Sequence, residues 1–111
     1  MVSAELAVGM ASLIAVLVVA MSALSLGMTQ VALVDAARLG ARSAARGDST
    51  ATVVATAQQA APGAQVTLGT AGALVEVTVR ARAPAVLSAI GVADPSATAR
   101  TRIESAIEPD P

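Results

Sequence analysis

The stretch ELAVGMASLIAVLVVAMSALSLGMTQVALVD, residues 5–35, decides how this chain folds. It opens on Glu5 and closes on Asp35, and the 29 residues from Leu6 to Val34 carry no charge. About 20 apolar residues in a helix cross the hydrocarbon of a bilayer. The run is longer than that need. A lone carboxylate at the edge of such a run is costly unless something offsets it, which makes Glu5 a functional candidate, with a terminal amine as its nearest partner.

Working outward, the chain has no proline from Ala4 to Ala45 and is dominated there by Ala, Leu, Val, Met and Ile. One continuous helix of about 60 Å is expected. Its first two-thirds is apolar all round, as in a helix surrounded by lipid or by other helices. Its last third becomes amphipathic. Asp35, Arg38, Arg42 and Arg46 recur every three or four residues on one face, and the arginines suit the negative end of the helix dipole. Small residues recur in the apolar part as well, with Ala7, Ala11 and Ala15 in one stripe and Ala23 with Gly27 in another. Such stripes let helices approach closely inside lipid, although an alanine-rich composition produces them unaided.

Gly47 is a natural stop, and Asp48 or Ser49 can cap a second helix running to about Ala60, with Val53, Val54, Ala57 and Ala61 inward. Pro62-Gly63 ends it. The hydrophobic period then changes to two. A short strand, Gln65 to Leu68, leads through Gly69-Thr70-Ala71-Gly72 into a half-buried strand from Leu74 to Arg82, so a hairpin is expected. Val86, Leu87 and Ile90 form a brief apolar segment between Pro84 and Gly91, read as one helical turn or a packed loop, and Asp94-Pro95 marks a turn. From Ala97 to Ile107 the alternation returns as a third strand. The tail Glu108-Pro109-Asp110-Pro111 is expected to fray. The predicted fold is therefore α+β: a long N-terminal hydrophobic helix over 1–46, then a small head over 47–111 with a short helix and a three-stranded antiparallel sheet.

Composition narrows the function. The 111 residues are 55 % apolar with a mean hydropathy of +0.71, outside the habits of a soluble domain. The chain has no Cys, His, Lys, Trp, Tyr or Phe. That set of absences removes the usual zinc ligands, the Cys nucleophile, the imidazole base, the Schiff-base amine and the phosphate-loop lysine. Scattered carboxylates form no acid–base pair, and no loop has the oxygen spacing of a calcium site. No catalytic, cofactor-binding or metal-binding residue is assigned. An enzyme is not expected.

The segment Met1-Val2-Ser3-Ala4-Glu5 followed by an unbroken apolar helix resembles the mature start of a type IV pilin. The order of Val34-Asp35-Ala36-Ala37-Arg38, Gly40-Ala41-Arg42, Ala45-Arg46-Gly47-Asp48 and Ala61-Pro62-Gly63-Ala64, with the valine-rich strand, is similar to the TadE-like pilins of tight-adherence (Flp) pili in actinobacteria. The resemblance implies a structural subunit stored in the cytoplasmic membrane as a single-pass protein and then drawn into an extracellular, adhesive filament. It implies that Met1 becomes the first mature residue, with a methylated amine, and that Glu5 neutralises this amine on a neighbouring copy. It also implies partners: other copies, other pilins, membrane lipid, a prepilin peptidase and the assembly machinery. By the positive-inside rule alone, Arg38, Arg42 and Arg46 would hold the C-terminal side in the cytoplasm. The resemblance places that side outside, which requires a basic leader ahead of Met1.

The arginines have two readings each. Arg38, Arg42 and Arg46 are a solvated helix face or a contact with Asp48, Glu76 or the acidic tail of another copy. Arg80, Arg82, Arg100 and Arg102 are expected on one sheet face, relieved by Glu76 and Glu104 or offered to an anionic partner. Nucleic acid is the weaker anionic choice, because no aromatic side chain can stack on a base. The alternative to a filament subunit is a membrane-anchored accessory protein whose small domain binds a partner at the cell surface.

Overall fold

The computed structural model describes residues 2–102. Its first element is one unbroken helix, α1 (Val2–Ala45), followed by α2 (Thr50–Ala60), the strands β1 (Gln65–Ala71) and β2 (Leu74–Arg80), the short α3 (Ala85–Ala89) and β3 (Ser96–Arg102). The strands form an antiparallel sheet in the order β1-β2-β3. The expected α+β architecture is present.

The end of α1 is closed by its own backbone. The N–H of Gly47 donates to the Ala44 carbonyl at 3.0 Å and that of Asp48 to the Ser43 carbonyl at 3.2 Å, with Gly47 at φ +83°. This pair of bonds satisfies carbonyls that the last turn leaves open and needs a left-handed residue at position 47. Asp48 is thus part of the α1 terminus, and Ser49 is the cap of α2, its Oγ accepting from the Thr52 N–H at 3.3 Å. Val53, Ala57 and Ala61 turn inward as expected, whereas Val54 is half-buried.

Alternation along the strands sorts the sheet into two faces. Val66, Val79 and Ala97 form one inner rung, Leu68, Val77 and Ala99 the next, and Thr70, Val75 and Thr101 the third. The inner face is covered by the C-terminal third of α1, through Leu33, Ala36, Ala37, Gly40, Ala41, Ser43 and Ala44, and by Val53 and Ala57 of α2. The head's core therefore includes helix from the N-terminal side of residue 46. Nearly every α1 residue on this seam is small, which brings the helix axis close to the sheet. At Gly40 the approach is tightest, because a Cβ there would stand 2.9 Å from Val77 Cγ1.

Two expectations need correction. The hairpin between β1 and β2 is a two-residue turn, Gly72-Ala73, with Ala71 paired to Leu74, so β1 runs past Gly69 instead of ending at Leu68. Gly72 at φ +64° supplies the positive angle that this tight turn requires at its first position. The second strand stops at Arg80, short of Arg82. Ala81 donates to the Pro95 carbonyl at 3.1 Å, but Pro95 has no N–H to return, and the Asp94 carboxylate takes the next N–H, that of Ala83, at 2.9 Å. The apolar segment takes the helical one of its two expected forms: α3 (Ala85–Ala89) buries Leu87, and Ile90 just past its end is left 65 % exposed. The expected continuation of the third strand through Ile103, Glu104 and Ile107, and the tail, lie outside the described residues.

Candidate functional site

Among the described residues, nothing buries the apolar part of α1 that precedes the head. Its most apolar 18-residue window has a mean hydropathy of 2.4, and none of that window is buried in the protein. Leu6, Val8, Leu13, Leu17 and Met28 all lie bare. A soluble protein rarely exposes so much contiguous apolar surface. By length and composition the helix can cross a membrane. The sequence suits that setting, since a helix satisfies its own backbone and the Ser12 hydroxyl donates to the Val8 carbonyl at 2.8 Å.

Glu5 stands exposed in the first turn of α1, where its charge is favourable toward the helix dipole. Met1, its expected counterpart, lies outside the described residues. Ala7, Ala11, Ala15, Ala23 and Gly27 are exposed, and none of the described residues covers them. A Cβ on Gly27 would meet nothing within 4 Å. The small residues that the fold itself uses are the later ones, from Ala36 to Ala44.

A part-buried hydrogen bond with no local sequence signal joins the helix end to the following turn. Ser43 is fully buried, and its Oγ donates to Asp48 Oδ2 at 2.7 Å. Arg46 reaches the same oxygen at 3.2 Å. The Ser43 hydrogen bond, with Arg46 adding a second bond and its charge, outweighs desolvation and holds the Asp48 carboxyl below the usual range.

The arginines are spread along the head. Gln30 Nε2 donates to the Ser96 carbonyl at 3.1 Å, fixing the rung Gln65–Arg80–Ser96 at the end of the sheet nearest the bare helix. That end is the base. The opposite end, the rung Ala71–Leu74–Arg102 and the Gly72-Ala73 turn, is the tip, about 20 Å away at 3.3 Å per residue. Arg80 and Arg82 belong to the base, while Arg100 and Arg102 lie toward the tip, so the four do not form one patch; Arg82 is not on the sheet at all. Arg100 pairs with Glu76 across the outer face, beside a row of Thr67, Thr78 and Thr98. Arg38 and Arg42 are exposed along α1, away from the sheet. Asp48 and Glu76, expected as acids for another copy, are engaged within the chain.

Two of the grooves on the described part of the head differ in character. One, of about 360 Å³, is mainly apolar and opens between Ala44, Gly47, Val53, Leu68 and Val75 near the tip. The other, of about 510 Å³, is polar and lies at the base among Gln65, Arg80, Arg82 and Asp94. Among the described residues, no three His, Cys, Asp or Glu come together in a way that could hold a metal ion. No family model, no curated protein and no solved structure matches this chain.

Proposed function

We propose that the chain is a structural pilin subunit of the type IV, tight-adherence (Tad/Flp) kind. It is held in the cytoplasmic membrane by α1 before assembly and packed through the same helix in an extracellular filament afterward. One observation carries the reading: the C-terminal third of α1 completes the core of the head, while the apolar window of the same helix has no cover among the described residues. Such a helix needs lipid first and other helices later. Inside a bundle, the small residues at Ala7, Ala11, Ala15, Ala23 and Gly27 permit close approach. Glu5 then answers the Met1 amine of a neighbour, because in low dielectric an unpaired carboxylate or amine costs several kcal/mol.

Glu5→Ala tests this in cells that make the filament. The variant should insert in the membrane as before and be depleted from filaments sheared off the surface and viewed by electron microscopy. Normal incorporation would remove the role given to Glu5.

The intrachain engagement of Asp48 and Glu76 leaves the described head few acids to offer a second copy, and this favours a second reading. In it the chain is a permanent single-pass accessory protein with a surface-binding head. Mass spectrometry of the native N-terminus separates the two: a free or methylated Met1 belongs to the subunit, a formylated or longer start to the anchor.

A further inference from the structure

The base of the head sits at a height along α1 that can be compared with a bilayer. Glu5 and Gln30 are 25 residues apart on one unbroken helix, about 37 Å at 1.5 Å per residue. The hydrocarbon core takes about 30 Å of that, and headgroups extend the bilayer to about 40–45 Å. With Glu5 at one boundary of the hydrocarbon, Gln30 reaches the outer edge of the opposite headgroup layer. Its bond to Ser96 brings the whole base rung to that level.

The charges at this level are not those elsewhere on the head. Arg80 and Arg82 are exposed, flank the 510 Å³ polar groove and engage no carboxylate within salt-bridge distance among the described residues. The one acid in the groove, Asp94, accepts the backbone N–H of Ala83. The excursion 81–95 leaves and re-enters the sheet here, and it carries Ile90, an isoleucine 65 % exposed. Arg38 stands about 12 Å higher on the helix, at the same rise per residue, and Arg102 is at the tip. Guanidinium groups bind phosphate oxygens in forked pairs. We propose that this base is a lipid-facing footprint, in which Arg80 and Arg82 hold the phosphate of an anionic phospholipid beside α1 while Ile90 dips toward the acyl boundary. The inference rests on the membrane-held stage of the function proposed above and not on the filament stage.

The chain has no cysteine, so single labels can be placed on it. Ala89→Cys puts a fluorophore at the base and Ala73→Cys puts one at the tip, both exposed sites. Reconstitution in phosphatidylcholine vesicles with and without phosphatidylglycerol, doped with a headgroup nitroxide, reads the height of each label. The base label should be quenched more in anionic vesicles, with the ratio of docked to undocked heads rising roughly fivefold, the effect of one net positive charge beside an anionic leaflet. The tip label should not respond. Arg80→Gln with Arg82→Gln should abolish the rise, and the paired lysine variant should keep most of it. A response equal in both lipids, or one unaffected by the glutamine pair, overturns the inference. Loss of the rise on adding inorganic phosphate at constant ionic strength also overturns it, in favour of a soluble-anion site. Flotation of the protein with vesicles is scored separately. Its failure would sink the membrane reading, and this inference with it, whereas flotation without a charge-dependent response sinks this inference alone.

Discussion

Replacing Gly40 by alanine should destabilise the head although it improves the helix. In an exposed helix interior the change gains about 1 kcal/mol. At position 40 the added methyl would lie 2.9 Å from Val77 Cγ1, 3.5 Å from Ala57 Cβ and 3.7 Å from Val53 Cγ1. Carbon atoms rest at about 3.5–4.0 Å, so only the Val77 contact is too short, by about 0.6 Å or more. Val77 is fully buried on the central strand, and its branched side chain has few alternative rotamers. Relief must come from α1 lifting off the sheet, which loosens Leu33, Ala36, Ala37 and Ala44 along the same seam. Overpacking of this kind costs about 1–3 kcal/mol. Net of the helix gain, a loss of about 1 kcal/mol is expected, or about 4–8 °C in Tm for a head of this size. With no aromatic side chain, the transition is followed by far-UV circular dichroism of the full chain in micelles and by amide exchange at Val77 and Val79. A Val77→Ala background sharpens the test, because without the clashing methyl the same Gly40→Ala change should stabilise. Equal or greater stability of the single variant, or no change of sign in the cycle, would refute the close-approach argument.

Further expectations concern the helix end and the bare rod. Because the Asp48 carboxyl is held low in the folded head, its contribution is complete above the unfolded carboxyl's pKa and is lost as pH falls through the folded value. Tm measured from about pH 6 down to about pH 2 should therefore drop less steeply in Asp48→Asn than in the parent, and parallel curves would count against the Ser43–Asp48 bond as a source of stability. Gly47→Ala forces a side chain into the left-handed region at φ +83° and should cost about 1 kcal/mol by thermal unfolding. Ala11→Leu tests the small-residue stripe: filament yield should fall while the thermal unfolding of the head stays unchanged, and an undiminished yield would leave the stripe to composition.

Much of the fold was legible because its signals are local. The absence of proline and the apolar run foretold α1, the pair Asp48-Ser49 marked the start of α2 without saying which residue caps it, and the alternation from Val75 to Val79 foretold the strand at the centre of the sheet. Nonlocal features escaped. Gly40 reads as a weak helix former in an alanine-rich segment, and its purpose appears only when Val77, 37 positions later, is brought against it. Asp48 reads as a helix start, yet a buried Ser43 makes it the closing group of the helix before. Gly69 suggested a loop because glycine weakens a strand. It sits on the outer face opposite Glu76 with nothing within 4 Å of a Cβ position, so the pairing tolerates it. The arginine positions were visible in the sequence, but their heights along the head depend on the Gln30–Ser96 bond and the strand register. For the rod the reverse holds: its composition is plain in the sequence, and the fold leaves it uncovered.

The same uninterrupted helix is both the rod and one wall of the head, and it crosses the inner face of the sheet from Gln30 at the base, past Val77 at Gly40, to Ala44 near the tip. A pull along the rod therefore loads that seam lengthwise, with all its contacts sharing the strain at once, where a hinged stalk would let them peel apart one after another.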